Sequence, residues 1–153
     1  MRYSFIIMTL FLALNCTALE WKWEEKSLKD CNKYEKELNI DLHCKHTGVI
    51  EKIIEAKDIQ EAYTKLLKAK ADSNIFAIKA YHEELLKKLP MQNYRLTRII
   101  PPYNEKAYID YKWTNTKRLE IAIEAEDCPA IYTIYFIDLG NGKVKILYDH
   151  DVC

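Results

Sequence analysis

Apolar residues change their spacing at Pro90. Before it they recur at helical intervals. After it they alternate with polar residues, as in a strand with one face on a core and one in water. The two periods cannot share one kind of element, so the chain is expected to divide into a helical half, 27–89, and a strand half, 95–150. In the first half, Ser27 is a candidate N-cap for a helix carrying Leu28, Cys31, Tyr34 and Leu38, and Thr47 for one carrying Val49, Ile50, Ile53 and Ile54. Asp58-Ile59-Gln60-Glu61 has capping-box spacing and opens a stripe of Ile59, Ala62, Tyr63, Leu66 and Leu67. Ile75, Phe76, Ile78, Leu85, Leu86 and Leu89 form a further helical face, stopped by Pro90.

In the second half, Ala107, Ile109, Tyr111 and Trp113 alternate with Tyr108, Asp110 and Lys112. Leu119, Ile121, Ile123 and Ala125 alternate with Arg118, Glu120, Ala122 and Glu124. Ile131 to Ile137 is apolar on both faces and reads as a central strand. Leu139-Gly140-Asn141-Gly142 reads as a hairpin turn into Val144, Ile146 and Tyr148. Arg95 to Ile100 is a further candidate strand. The expected fold is α+β: three to four N-terminal helices packed on one face of a four- to five-stranded antiparallel meander, stapled by two disulfides.

Export sets the compartment. Phe5 to Leu14 is a ten-residue apolar run behind Arg2, short for a membrane span and right for a signal h-region, and Ala18 is placed for cleavage. Residues 1–18 are therefore expected to be a signal peptide and 19–153 a single domain, extracytoplasmic, in a bacterial periplasm first and secreted second. Lipidation at Cys16 is the alternative fate, with no transmembrane anchor in either case. Both fates leave Cys31, Cys44, Cys128 and Cys153, an even number for an oxidising compartment.

Hairpin register then suggests the pairing. A turn that sets Asp138 against Lys143 puts Ile137 opposite Val144 and Cys128 opposite Cys153. A turn at Asn141-Gly142 slides this by two. Either way Cys128 and Cys153 come within bridging range, and Cys31 is left for Cys44. Both registers also aim Ile131, Thr133, Tyr135 and Ile137 at the helices together with Val144, Ile146 and Tyr148. Tyr132, Ile134, Phe136 and Leu147 are left as an outward apolar stripe rimmed by Arg118, Glu120, Lys143 and Lys145, the candidate partner-binding residues. The competing expectation is that the segment with Trp21 and Trp23 folds over that stripe.

Charge and residue types narrow the function. The 153 residues carry 23 basic and 23 acidic side chains, 19 of the basic ones Lys, with three glycines in all. Such a chain has no electrostatic reach for nucleic acid and no glycine-rich phosphate cradle. His43, His46 and His150 fall in loops or at the C-terminus, and His82 lies with Glu83 and Glu84 on a polar helix side, so no catalytic residue, metal or cofactor is expected. After the signal, serine is confined to Ser27 and Ser73 at cap positions. Tyrosine is abundant, with eleven in the chain, and suits half-polar contact surfaces. In size and layout the chain resembles small periplasmic immunity and inhibitor proteins. The expected function is accordingly a non-catalytic extracytoplasmic binding protein, an inhibitor or immunity protein whose partner is another protein, a toxin or hydrolase. The alternatives are a small secreted hydrolase using carboxylate and histidine chemistry, or a structural envelope or lipid-carrier protein.

Overall fold

Alternation after Pro90 produces five consecutive antiparallel strands, and the sheet they form is larger than the pattern alone indicates. The computed structural model describes residues 24–26, 28–40, 42, 49–69, 83–100, 104–126 and 131–151. In chain order the elements are β1 (Glu24–Lys26), α1 (Leu28–Leu38), β2 (Val49–Glu55), α2 (Ile59–Lys68), β3 (Tyr94–Ile100), β4 (Glu105–Asn115), β5 (Arg118–Ala125), β6 (Ile131–Gly140) and β7 (Lys143–Asp151). All strands join one antiparallel sheet in the order β1-β2-β7-β6-β5-β4-β3, six long strands and the three-residue β1 at one edge. Neither described helix is long and apolar enough to cross a membrane.

This corrects the expected architecture. Among the described residues there are two helices, and they lie on opposite faces of the sheet. Val49–Glu55, expected as a helix, is a strand paired with β7 from Ile50↔Tyr148 to Glu55↔Lys143. Its four apolar residues are all β-branched, stiff at the first side-chain torsion and better packed on a pleat than against a helical turn. The end of the last expected helix is turn and bend: Leu85 and Leu89 are buried, but their segment is not helical. Residues 70–82, with Ile75, Phe76 and Ile78, lie outside the described residues. The described residues do not support the expected pair of disulfides, since three of the four cysteines fall outside them. Cys31 is buried and disulfide-bonded, while Cys44, Cys128 and Cys153 lie outside the described residues, as do Cys16 and the expected signal.

Helix α2 forms as its sequence dictates. Asp58 is its N-cap, its carboxylate accepting from the Glu61 N–H at 2.8 Å, and Glu61 accepts in return from the Lys57 N–H at 3.0 Å. Ile59, Ala62, Tyr63 and Leu66 face the sheet and are buried. The large apolar side chains each contribute about 1.5–3 kcal/mol by that burial. They pack on Tyr111, Ile121, Ile134, Phe136, Val144, Ile146 and Tyr148 in the main core. Tyr63 ties in the segment that follows: its hydroxyl donates to the Leu86 carbonyl at 2.5 Å, and the Leu86 N–H donates to the Tyr111 hydroxyl at 2.9 Å. Burial pushes both phenols up, so both remain neutral donors.

The second face belongs to α1. Cys31, Leu42, Val49, Tyr135, Ile137 and Leu147 form a smaller core there, with Tyr34, Leu38 and Ile40 half-buried against it. Under the helix, Glu51 accepts from the Tyr34 hydroxyl at 2.5 Å and pairs with Lys145 at 2.9 Å. The Lys145 ammonium sits 4.4 Å from the Tyr34 ring centre.

One residue decides which face is which. The hairpin turn is Asn141-Gly142, both at positive φ, so Gly140 pairs with Lys143. A bulge then leaves Leu139 outside the ladder, and Asp138 pairs with Val144. Beyond it the register is Ile137↔Lys145, Phe136↔Ile146 and Ile134↔Tyr148. That one-residue slip inverts the faces expected from either regular register. Ile134 and Phe136 enter the core with Val144, Ile146 and Tyr148, and Tyr135 and Ile137 go beneath α1.

Candidate functional site

The expected partner-binding residues do not form a surface. Ile134 and Phe136 are buried under α2, Leu147 is buried on the opposite face under α1, and Tyr132 is half-buried against the main core with its ring 6.4 Å from that of Tyr148. The inverted register of β6 and β7 is the cause. His43, His46 and His82 lie outside the described residues, as do Trp21 and Trp23. His150 stands in β7 opposite Tyr132, and its side chain lies outside what is described.

What the sheet does leave open is the α1-side face of β3, β4 and β5. α1 packs its apolar side over β2, β7 and β6, and its C-terminal end is bonded by Arg118 of β5. Beyond it the strands present a grid fixed by register. One row runs Arg95, Asp110, Ala122, Thr133 and Asp149. The next runs Lys112, Glu120, Tyr135 and Leu147. Ala122 is the smallest side chain in its row and stands between Asp110 and Thr133, so the middle of the face is hollow. The hollow has a volume of about 440 Å³. Ala122 and Thr133 line its floor, Arg95, Asp110, Lys112, Glu120 and Glu124 its walls, and Asn39 and Ile40 the rim at the end of α1.

The rim is tied to the sheet. Asn39 ends α1 in a left-handed conformation, φ 48°. The Arg118 guanidinium donates to the Leu38 carbonyl, and the Glu35 carboxylate accepts from the Leu42 N–H. The walls are held by ion pairs along and between strands. Arg95 grips Asp110 with two parallel bonds, Nε to Oδ1 and Nη2 to Oδ2, both 2.5 Å. Lys112 meets Glu120 at 3.3 Å, and Lys106 meets Glu126 at 3.3 Å while standing 5.0 Å over the Tyr108 ring.

These contacts set the chemistry. The Arg95 fork holds the Asp110 carboxyl below its ordinary range, so near neutrality it is an ionised acceptor and a poor proton donor. Opposite charges alternate across the face: Arg95, Lys112 and Arg118 stand among Asp110, Glu120 and Glu124. The arrangement suits a mixed-charge partner surface with hydrogen-bonding edges better than a single ion. Among the described residues no group of three His, Cys, Asp or Glu side chains is placed to hold a metal.

A second hollow of about 340 Å³ opens on the other side, between the start of α2 and the β4–β5 hairpin, lined by Ile59, Met91, Trp113 and Thr116 among others. Trp113 is anchored there, its indole N–H donating to the Pro90 carbonyl at 2.9 Å.

Sequence reading had the outward face of β4 and β5 right, since Asp110, Lys112, Arg118 and Glu120 occupy the polar phase of two clean alternations. It did not connect them to Arg95, whose role depends on β3 pairing with β4. It also placed Arg118 and Glu120 beside Tyr132, where the register sets them opposite Ile137 and Tyr135. Comparison of this chain with protein-family models, with curated proteins and with solved structures gives no match in any of the three.

Proposed function

We propose that this protein is a non-catalytic extracytoplasmic binding protein, an inhibitor or immunity protein that occludes a toxin or hydrolase, and that it meets its partner with the open face of β3, β4 and β5. The observation that carries the reading is the hollow over Ala122, walled by the Arg95–Asp110 and Lys112–Glu120 pairs. Groups already held in place on a sheet lose little freedom on association, and alternating charge favours a matching surface over its competitors. Extracytoplasmic placement rests on the apolar run from Phe5 to Leu14.

Filling the hollow tests the reading. Partner is captured by cross-linking from the native envelope, identified by mass spectrometry, and its activity measured with and without this protein. Ala122→Arg, with unchanged circular dichroism and melting temperature, is expected to weaken partner binding at least about tenfold. Undiminished inhibition by Ala122→Arg and by Lys112→Glu would place the partner elsewhere. Turnover of a substrate by this chain alone, lost in Asp110→Asn, would replace the reading with the hydrolase.

The carrier alternative draws on the hollow beside Trp113, whose size suits a small ring and not an acyl chain. Quenching of Trp113 fluorescence by an apolar ligand, abolished by Ile59→Trp, would favour it.

A further inference from the structure

β3 closes the sheet opposite β1, and its outer side is a seven-residue edge. Which of its backbone groups point outward follows from β4. The Lys106 carbonyl accepts from the Glu126 N–H, on the β5 side, and the Trp113 N–H donates to the Asn93 side chain at 2.7 Å, on the β3 side. Both polar groups of a strand residue point the same way and alternate along the chain, so Glu105, Ala107, Ile109 and Tyr111 bond to β3. Their register partners, Tyr94, Leu96, Arg98 and Ile100, are therefore engaged with β4. The N–H and C=O groups of Arg95, Thr97 and Ile99 point away from the sheet, and no described residue bonds them. Side chains do not shield this edge. Tyr94 and Ile99 are 47% and 57% exposed, and of those described in the strand only Leu96 is buried.

We propose that the β3 edge pairs with the β3 edge of a second copy of this chain, antiparallel about a two-fold axis at Thr97. That centre sets Thr97 against Thr97 and Arg95 against Ile99 of the second copy, each a hydrogen-bonded pair exchanging two bonds, so every outward backbone group of the three residues is satisfied. Leu96 then faces Arg98, and Tyr94 faces Ile100. The neighbouring centres are worse. One at Leu96 matches Ile99 with Asn93, beyond the strand, and one at Arg98 sets two guanidinium groups directly opposite. Arg95 is already neutralised by Asp110, so its stem can cover Ile99 without placing a bare charge there. With zero net charge, two copies do not repel at long range. An axis normal to the sheet keeps like faces on one side, so the hollows over Ala122 in the two copies come to lie on the same face. The pairing goes beyond the proposed function and does not depend on it.

One strand pair buries less than a permanent dimer requires, so the dimer is weak, with a Kd on the order of 100 µM. Sedimentation equilibrium of the full chain, from about 10 µM to about 1 mM, is expected to show a monomer–dimer equilibrium. Thr97→Pro removes an outward N–H and leaves the bonds to β4 intact, as edge strands tolerate. It is expected to weaken association at least about tenfold with unchanged circular dichroism. Ile99→Lys, a charge on the edge, is expected to do the same without touching the backbone. Arg98→Thr removes a diagonal repulsion between the two copies and is expected to tighten the dimer. A chain that stays monomeric throughout the range overturns the proposal, including the case in which the edge captures an unrelated extended peptide. So does a dimer that folded Thr97→Pro and Ile99→Lys leave unchanged.

Discussion

The Glu51–Lys145 pair beneath α1 offers a test in which two single losses should cancel. Both side chains are largely withdrawn from water, Glu51 at 8% and Lys145 at 14% exposure, with 2.9 Å between carboxylate and ammonium. At that separation and an effective dielectric of about 20, their attraction is about 6 kcal/mol. Desolvation costs several kcal/mol per ion, so the pair as a whole contributes close to nothing. Removing one member keeps the desolvation cost of the other and loses the attraction. Lys145→Met, which keeps an unbranched apolar side chain and removes the ammonium beside Glu51 and the Tyr34 ring, should therefore cost about 3–5 kcal/mol, and Glu51→Leu a similar amount. The double variant Glu51→Leu, Lys145→Met should fall within about 1–2 kcal/mol of the parent, a coupling of several kcal/mol between the two sites. Urea unfolding followed by far-ultraviolet circular dichroism, with unchanged m-values, gives all four stabilities. Additive single losses, or a Lys145→Met variant as stable as the parent, would refute the reasoning.

Other expectations are as direct. Tyr111→Phe strips the Leu86 N–H of its acceptor and should cost about 1–3 kcal/mol, read as a lower urea midpoint and faster exchange of the Leu86 amide. Asp110 has a folded pKa below its unfolded value, so its contribution is present above about pH 4 and is lost as pH falls through the lower folded value. Asp110→Asn should therefore be less stable than the parent at pH 7, by less than about 1 kcal/mol because Arg95 is exposed, and the difference should close in acid. Deleting Leu139 should be tolerated within about 1 kcal/mol in a urea titration, although deletions inside strands ordinarily invert faces, because Asp138↔Val144 and Gly140↔Lys143 would become consecutive pairs.

The sequence is legible where one force acts alone. Asp58 and Glu61 cap α2 through contacts within one turn, and the stripe from Ile59 to Leu66 has a single face to bury, so both follow from spacing. β4 and β5 alternate cleanly because one side meets the core and the other water. Val49–Glu55 misleads because Val49, Ile50, Ile53 and Ile54 fit helical spacing as well as a strand, and the choice rests on β7, almost a hundred residues later. β6 misleads for another reason. Its two faces are apolar because a helix covers each, so its hydrophobic pattern carries no information about phase. Only the bulge at Leu139 sets that phase, and the bulge follows from how two strands fit. The candidate site inherits both limits: its β4 and β5 members are visible in the pattern, whereas Arg95, Thr133 and Tyr135 depend on pairing and register.

Geometry also accounts for why an open face exists at all. A helix is about 10 Å across and strands are spaced about 4.8 Å apart, so one helix shields two to three strands. α1 shields β2, β7 and β6, and no other described helix shares its side of the sheet. Among the described residues no helix covers the remaining strands on that side, and Arg95 and Lys112 are more than half exposed there. Water alone would be served by any polar residues, loosely held. Here instead Arg95 grips Asp110 with both nitrogens, Arg118 binds the end of α1, and Ala122 leaves a depression where a longer side chain would fit. Ordering charged side chains costs rotamer entropy that surface pairs scarcely recover in stability. Under the proposed binding role that ordering has a use, because groups already held in place need not be ordered again when a partner arrives.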